Sequence, residues 1–211
     1  FLDKTENLWY NHTNLTERKT FFFTVRANNS LPGLGHPAKI SDIIVDVPKP
    51  PLIDRLIWGD SHINVTWYPP WDSGAPGKIF YELHWGEDPL ILDNRVNGIS
   101  NEWYNVTGLT NGVTYHFQVY ARNKVGLSNG SNIKNATPYC SPSVPRNFTI
   151  SSTDRTIFLN WGIPEETGGK AVFYTVYRYY DENYTLPVAV DIEETSLTFY
   201  PAINGQEYTF Y

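Results

Sequence analysis

The chain has 211 residues, a formal net charge of −6 and 41% hydrophobic residues, among them seven Trp, 15 Tyr and 11 Phe. That length allows roughly one to two domains with substantial cores. The acidic balance argues against a nucleic-acid partner and against direct contact with an anionic membrane surface. No apolar run approaches the ~18–20 residues that span a bilayer, and no leader peptide is visible.

Taken in order, residues 1–46 read as the C-terminal half of a small β-domain, with strands around Trp9–Thr16 and Phe21–Ala27 and a last strand through Ala38–Val47. Asp46-Val-Pro-Lys-Pro-Pro51 follows as a short proline-rich boundary, which favours an extended, semi-rigid link. Residues 47–138 read as one complete domain. Ile63, Val65 and Trp67 alternate inward with Asn64 and Thr66 outward, the period of two of a half-buried strand. Pro69-Pro70-Trp71-Asp72-Ser73-Gly74 ends that strand with turn residues. Tyr81, Leu83 and Trp85 alternate on the next one. Trp103–Thr107, the corner Gly108–Gly112 and Tyr115–Ala121 follow, and the last strand, after the Asn123–Ser128 turn, runs to about Thr137-Pro138. Residues 139–211 start the pattern again with Ile157, Leu159 and Trp161, then Tyr174 and Val176, and reach Tyr208 and Phe210 without a last strand. No sustained helical periodicity occurs.

The order is a repeat with an interval of 94 residues. Trp9, Tyr10, Asn11, Thr13, Leu15 and Thr16 fall on Trp103, Tyr104, Asn105, Thr107, Leu109 and Thr110. Pro51, Trp67, Pro70 and Gly74 fall on Pro145, Trp161, Pro164 and Gly168. This period is too long for a solenoid of about 20–50 residues per repeat, and it suits a seven-stranded sandwich of ~100 residues copied in tandem. Leu109 to Tyr115, L-x-x-G-x-x-Y, resembles the tyrosine corner of such sandwiches, in which a tyrosine hydroxyl reaches back to the preceding backbone.

The pattern I-x-V-x-W-x-x-P at Ile63–Pro70, Y-x-L-x-W at Tyr81–Trp85 and the run from Tyr104 to Ser128 resemble the fibronectin type III domain. The resemblance covers essentially the whole chain and implies an all-β fold of tandem immunoglobulin-like β-sandwiches, seven strands per module, with modules at 1–46 (partial), 47–138 (complete) and 139–211 (lacking its last strand). A disulfide-linked immunoglobulin domain is excluded, because it needs a cysteine pair and the chain has one cysteine, Cys140.

No residue pattern points to catalysis or to a cofactor. His12, His36, His62, His84 and His116 lack metal-ligand spacing, and His84 and His116 are expected to face outward. Gly33-Leu-Gly35 precedes no helix and reads as a turn, while Glu165-Glu166 and Glu193-Glu194 read as solvated loops. No metal site and no catalytic residue is assigned.

The informative surface signal is N-x-S/T, which occurs nine times, at Asn11, Asn14, Asn28, Asn64, Asn105, Asn129, Asn135, Asn147 and Asn183. Chance gives roughly three at this composition, so the excess points to N-linked glycans on a secreted or cell-surface eukaryotic protein. Arrays of this kind recur in single-pass receptors and adhesion molecules, including receptor kinases and phosphatases. The resemblance therefore implies an extracellular segment that binds a protein ligand or another cell-surface protein. The alternatives are structural spacer modules with binding elsewhere, or an accessory module of a secreted hydrolase. Trp71, in the turn after the Ile63–Trp67 strand, is the first candidate contact residue, and Trp103, of opposite parity to Tyr104 and Val106, is the second.

Overall fold

The computed structural model describes residues 10–15, 19–27, 35–181 and 184–211. Every regular element among them is a β-strand. The chain forms two compact units. One comprises the described part of Phe1–Arg55 with Val65–Tyr104 and His116–Lys134; the other comprises Leu56–Asn64, Asn105–Tyr115 and Asn135–Tyr211.

The first unit begins with a hairpin of β1 (Thr20–Val25) and β2 (Ala38–Ile43), in register from Thr20 opposite Ile43 to Val25 opposite Ala38. Phe21 and Phe23 are half-buried and Phe22 is exposed, so the expected alternation is present. The strand expected around Trp9–Thr16 is not found at Tyr10–Leu15; Trp9 and Thr16 lie outside the described residues. No described strand besides β2 pairs with β1, so this segment finds no ladder to join.

Two antiparallel sheets follow. β3 (Leu52–Gly59), β4 (His62–Tyr68) and β7 (Trp103–Thr107) lie in the order β3-β4-β7. β5 (Phe80–Gly86), β6 (Asn94–Ile99), β8 (Tyr115–Arg122) and β9 (Lys134–Ala136) lie in the order β6-β5-β8-β9. The β5–β8 ladder is unbroken from Phe80 opposite Arg122 to Gly86 opposite His116. That register sets Tyr81 beside Ala121 and Leu83 beside Val119 on one face, and all four are buried. Ile53, Val65 and Trp67 supply the buried residues of the other sheet in this unit. The indole of Trp67 meets the ring of Tyr81 edge-on at 5.4 Å and 65°, so an aromatic pair joins the two layers. Burial, and after it the charge of Glu102, push the Tyr81 phenol up to about 12.

The second unit holds the β3–β4 turn at Asp60–Ser61, the corner before β8, and the rest of the chain. Here β10 (Arg146–Thr153), β11 (Thr156–Gly162) and β14 (Ser196–Phe199) form a sheet in the order β10-β11-β14. β12 (Tyr174–Asp181), β13 (Tyr184–Ile192) and β15 (Thr209–Phe210) form another in the order β13-β12-β15. Ile157, Leu159, Trp161, Tyr174, Val176 and Ala202 are buried together. Trp161 meets Tyr174 at 5.4 Å and 62°, which reproduces the Trp67–Tyr81 pair. β15 is only two residues long, and Phe148 and Ile150 of β10 stay about half exposed.

The tyrosine corner is present twice. The hydroxyl of Tyr115 accepts from the Thr110 amide at 3.2 Å, and that of Tyr208 accepts from the Ile203 amide at 2.9 Å.

Two outcomes follow from the Trp67–Tyr81 pair. Trp67→Ala is expected to destabilise the first unit by about 3–5 kcal/mol, as truncation of a buried aromatic does. Trp67→Phe is expected to cost much less, because the indole Nε1 makes no hydrogen bond; denaturant unfolding measures both. The raised Tyr81 pKa also has a sign. A phenol whose folded pKa lies above its unfolded value near 10 favours folding below that value, and this contribution is lost as the pH rises towards about 12. Tyr81→Phe should therefore flatten the alkaline fall in melting temperature between those limits.

Candidate protein-binding surface

Around Trp71 the first unit has a loop end built from backbone carbonyls and one amide side chain. Asp72 is buried, and its Oδ1 accepts from the Gly74 amide at 2.6 Å, which closes the turn after β4. Gly74 has a φ of 68°, and a Cβ there would run into the carbonyl oxygens of Asp46 and Val47. The segment leading into β3 lies on this turn through Asp46 N to Gly74 O and Lys49 N to Asp72 O, both 2.9 Å. Asn123, in the β8–β9 loop, ties these pieces together. Its Nδ2 donates to Asp46 O at 2.7 Å and to Ser73 O at 2.8 Å, and its Oδ1 accepts from the Val125 and Gly126 amides. Trp71 projects from this fixed frame and is 81% exposed; Val125 on the neighbouring loop is also exposed. The indole therefore stands on a loop whose backbone is held by hydrogen bonds.

Trp103 is exposed on β7, as its parity requires. Nothing in the described structure links it to Trp71.

The acceptor asparagines divide by exposure. Asn11, Asn14, Asn105, Asn129, Asn135 and Asn147 are exposed. Asn28 and Asn183 lie outside the described residues. Asn64, expected to point outward, is half-buried on the central strand β4, with its Oδ1 enclosed and without a hydrogen-bond partner. Its neighbours on both sides in the sheet are the cause, which alternation along one strand does not register.

His84 and His116 are likewise half-buried and not fully outward. The His84 ring lies 4.8 Å from that of Tyr120, and its Nε2 lies 3.7 Å from Glu82. Glu82 also pairs with Arg122 at 2.8 Å. On the outer face Gln118 of β8 stands opposite His84, whereas the residue of β5 opposite His116 is Gly86. Among the described residues, no three His, Cys, Asp or Glu side chains group so as to hold a metal ion.

Cys140 accepts a hydrogen bond from Asn111 Nδ2 at 3.2 Å in the second unit. The same amide donates to Asp60 Oδ1 at 2.9 Å, while Asn111 Oδ1 accepts from the Ser61 amide at 3.0 Å. Desolvation, and after it the charges of Asp60 and Glu166, raise the Cys140 pKa, which keeps the sulfur a thiol and a poor nucleophile. Asp60 shifts downward, first through the Asn111 amide. Asn111 and Asn123, read from sequence only as turn residues, are the organising side chains of their loops. The signal available for Asn123 was its place three residues before Gly126, where an Asx side chain caps the following amides.

Facing antiparallel sheets joined by a buried Trp–Tyr pair, closed by tyrosine corners and repeated along the chain, define a tandem β-sandwich protein. Residues 54–136 match the model of the fibronectin type III domain, and that stretch of the chain is a module of this kind. It is 31% identical over 134 residues to a Kelch domain-containing protein of Saccharolobus solfataricus, covering 63% of this chain and 17% of that protein. It is 29% identical to the cardiac-type myosin-binding protein C of Gallus gallus, covering 62% of this chain and 11% of the relative. It is also 29% identical to the human receptor-type tyrosine-protein phosphatase F, covering 77% of this chain and 9% of the relative. The chain thus spans less than a fifth of the length of each. No helix among the described residues is long and apolar enough to cross a membrane.

Asn123→Ala removes both donors and both acceptances at the loop end. It is expected to destabilise the first unit by on the order of 2 kcal/mol, read by denaturant unfolding. Asn123→Asp should cost at least as much, because it sets a carboxylate against the carbonyls of Asp46 and Ser73.

Proposed function

We propose that this chain is a protein-binding segment of the extracellular part of a cell-surface receptor or adhesion protein. It is organised as a partial fibronectin type III module at 1–46, a complete one at 47–138 and one lacking its last strand at 139–211. The observation that carries the reading is Trp71, 81% exposed on a loop end whose backbone is held by Asp72 and Asn123. Such an indole buries little of its surface within the fold, and aromatic side chains on fixed loops are what interfaces use as anchors. The excess of acceptor asparagines, with six of them exposed, supports an extracellular setting and N-linked glycans. The likeness to a receptor-type phosphatase supports the receptor class. A signalling receptor with a catalytic domain elsewhere in its chain is the more specific form of this reading.

A second reading, structural spacing, is favoured by a different observation. In the second unit the backbones of Gly112 and Gly169 touch, and a Cβ on Gly112 would come within 2.7 Å of the Gly169 Cα. Trp58 packs edge-on against Tyr139 at 5.5 Å, and Lys170 Nζ lies 4.4 Å over the Tyr139 ring. Such contacts stiffen the segment around residues 138–140.

The test is the full chain, secreted from eukaryotic cells and screened against cell-surface ectodomains, with Trp71→Ala beside it. Unchanged melting with binding reduced at least tenfold is the expected result, equivalent to about 1.4 kcal/mol or more of interface energy. Lowered melting with normal binding makes Trp71 a structural lid, and binding to no ectodomain favours the spacer.

A further inference from the structure

Trp103, Asn105 and Thr107 occupy alternate positions of β7 and are all exposed, while Val106 is buried and Tyr104 half-buried between them. The three outward side chains spell an aromatic residue, an acceptor asparagine and the threonine that completes N-x-T. Residues two apart on a strand lie about 7 Å from each other on the same face, roughly the length of one sugar ring. β7 is also an edge strand of its sheet, so its outer face is open along one side.

Two features of the chain set this arrangement apart from a chance exposed tryptophan. The same W-Y-N-x-T order stands one repeat earlier, at Trp9, Tyr10, Asn11 and Thr13. β14 provides the contrast. It enters its sheet by the same bond, Trp161 N to Thr195 O at 2.9 Å, as β7 does through Trp67 N to Glu102 O at 2.9 Å. The outward positions corresponding to Trp103 and Asn105 are Ser196 and Thr198, so the aromatic and the acceptor asparagine are absent together.

We propose that Trp103 is the stacking platform for the first sugar of an N-linked glycan on Asn105, so that this glycan is a packed part of the β3-β4-β7 face. The inference rests on the glycan-bearing, extracellular reading given above. Attachment joins Asn105 Nδ2 to the anomeric carbon of an N-acetylhexosamine. The donor is a lipid-linked oligosaccharide; its pyrophosphate oxygen–carbon bond breaks, the lipid pyrophosphate leaves, and Nδ2 gives up one proton. The C–H face of the sugar then covers the apolar face of the indole, which otherwise stays half in water. Thr107 completes the acceptor motif and stands on the far side of Asn105 from the indole.

The experiment is a double-mutant cycle of Trp103→Ala and Asn105→Gln in the full chain secreted from glycosylating cells, with site occupancy read by glycopeptide mass spectrometry. Asn105→Gln is expected to lower the melting temperature by about 4 °C when Trp103 is present and to change it by less than about 1 °C alongside Trp103→Ala. Trimming the glycans to their first sugar should leave the melting temperature of the parent chain within about 1 °C, because that ring makes the contact. The same cycle in protein from a non-glycosylating host should show no coupling; coupling there would place the effect in the side chains themselves and overturn the proposal. An occupied Asn105 with an equal melting shift in both Trp103 backgrounds overturns the stacking and leaves the glycan reading intact. An unoccupied Asn105 overturns both at this site.

Discussion

One edge-on pair, an indole from one sheet against a phenol ring from the other, sets the geometry on which the rest depends. Two twisted sheets leave a gap of about 10 Å between their backbones, and a tryptophan is the side chain that fills most of it. Trp67 fixes the separation at Tyr81, and Trp161 does so at Tyr174 with the same distance and nearly the same angle. With that spacing set, the alternation of β4, β5 and β8 closes the layer around it: Val65, Leu83, Phe117 and Val119 have no exposed surface left. Both indoles lack a partner for Nε1, so their contribution comes from shape and apolar burial and not from a hydrogen bond.

The second constraint is local and also repeated. A glycine with positive φ lets the turn after the tryptophan strand lie directly against the segment leading into that sandwich. Gly74 is held there by an Asp72 carboxylate and receives the Asp46 amide; Gly168 is held by a Glu166 carboxylate and receives the Cys140 amide. A side chain at either glycine would collide with the carbonyl oxygen that makes the close approach possible. Asn123 adds its amide to the first of these turns, and the loop end becomes a rigid mount. Trp71 stands on this mount and is largely exposed.

Fold and function separate clearly here. Relatives that share about three residues in ten with this chain carry names as different as a Kelch domain protein, a myosin-binding protein and a receptor phosphatase. The sandwich tolerates this because its specificity lies in loops and outer faces, while its core repeats one packing solution. The features that individualise this chain are therefore outside the core. They are the Trp71 loop end, the W-x-N-x-T strand at β7, and the asparagine-centred cluster of Asp60, Asn111 and Cys140.

Much of this was legible in the residue order. The 94-residue interval, the two tryptophan strands, the tyrosine corner at Tyr115 and the outward parity of Trp103 follow from alternation and turn chemistry, which act between residues close in sequence. Asn64, His84 and His116 show the limit of that reasoning. Period two separates the faces of a strand, but it does not register what stands beside it in the sheet, and all three are half-buried. The roles of Asn111 and Asn123 were equally out of reach, since their partners lie up to 77 residues away in sequence. The sequence by itself determined which residues alternate inward and where the chain turns, because backbone sterics and hydrophobic period are local. Only the tertiary structure decided which outward residues are truly exposed and which loops are fixed, because both depend on strands brought together from distant parts of the chain.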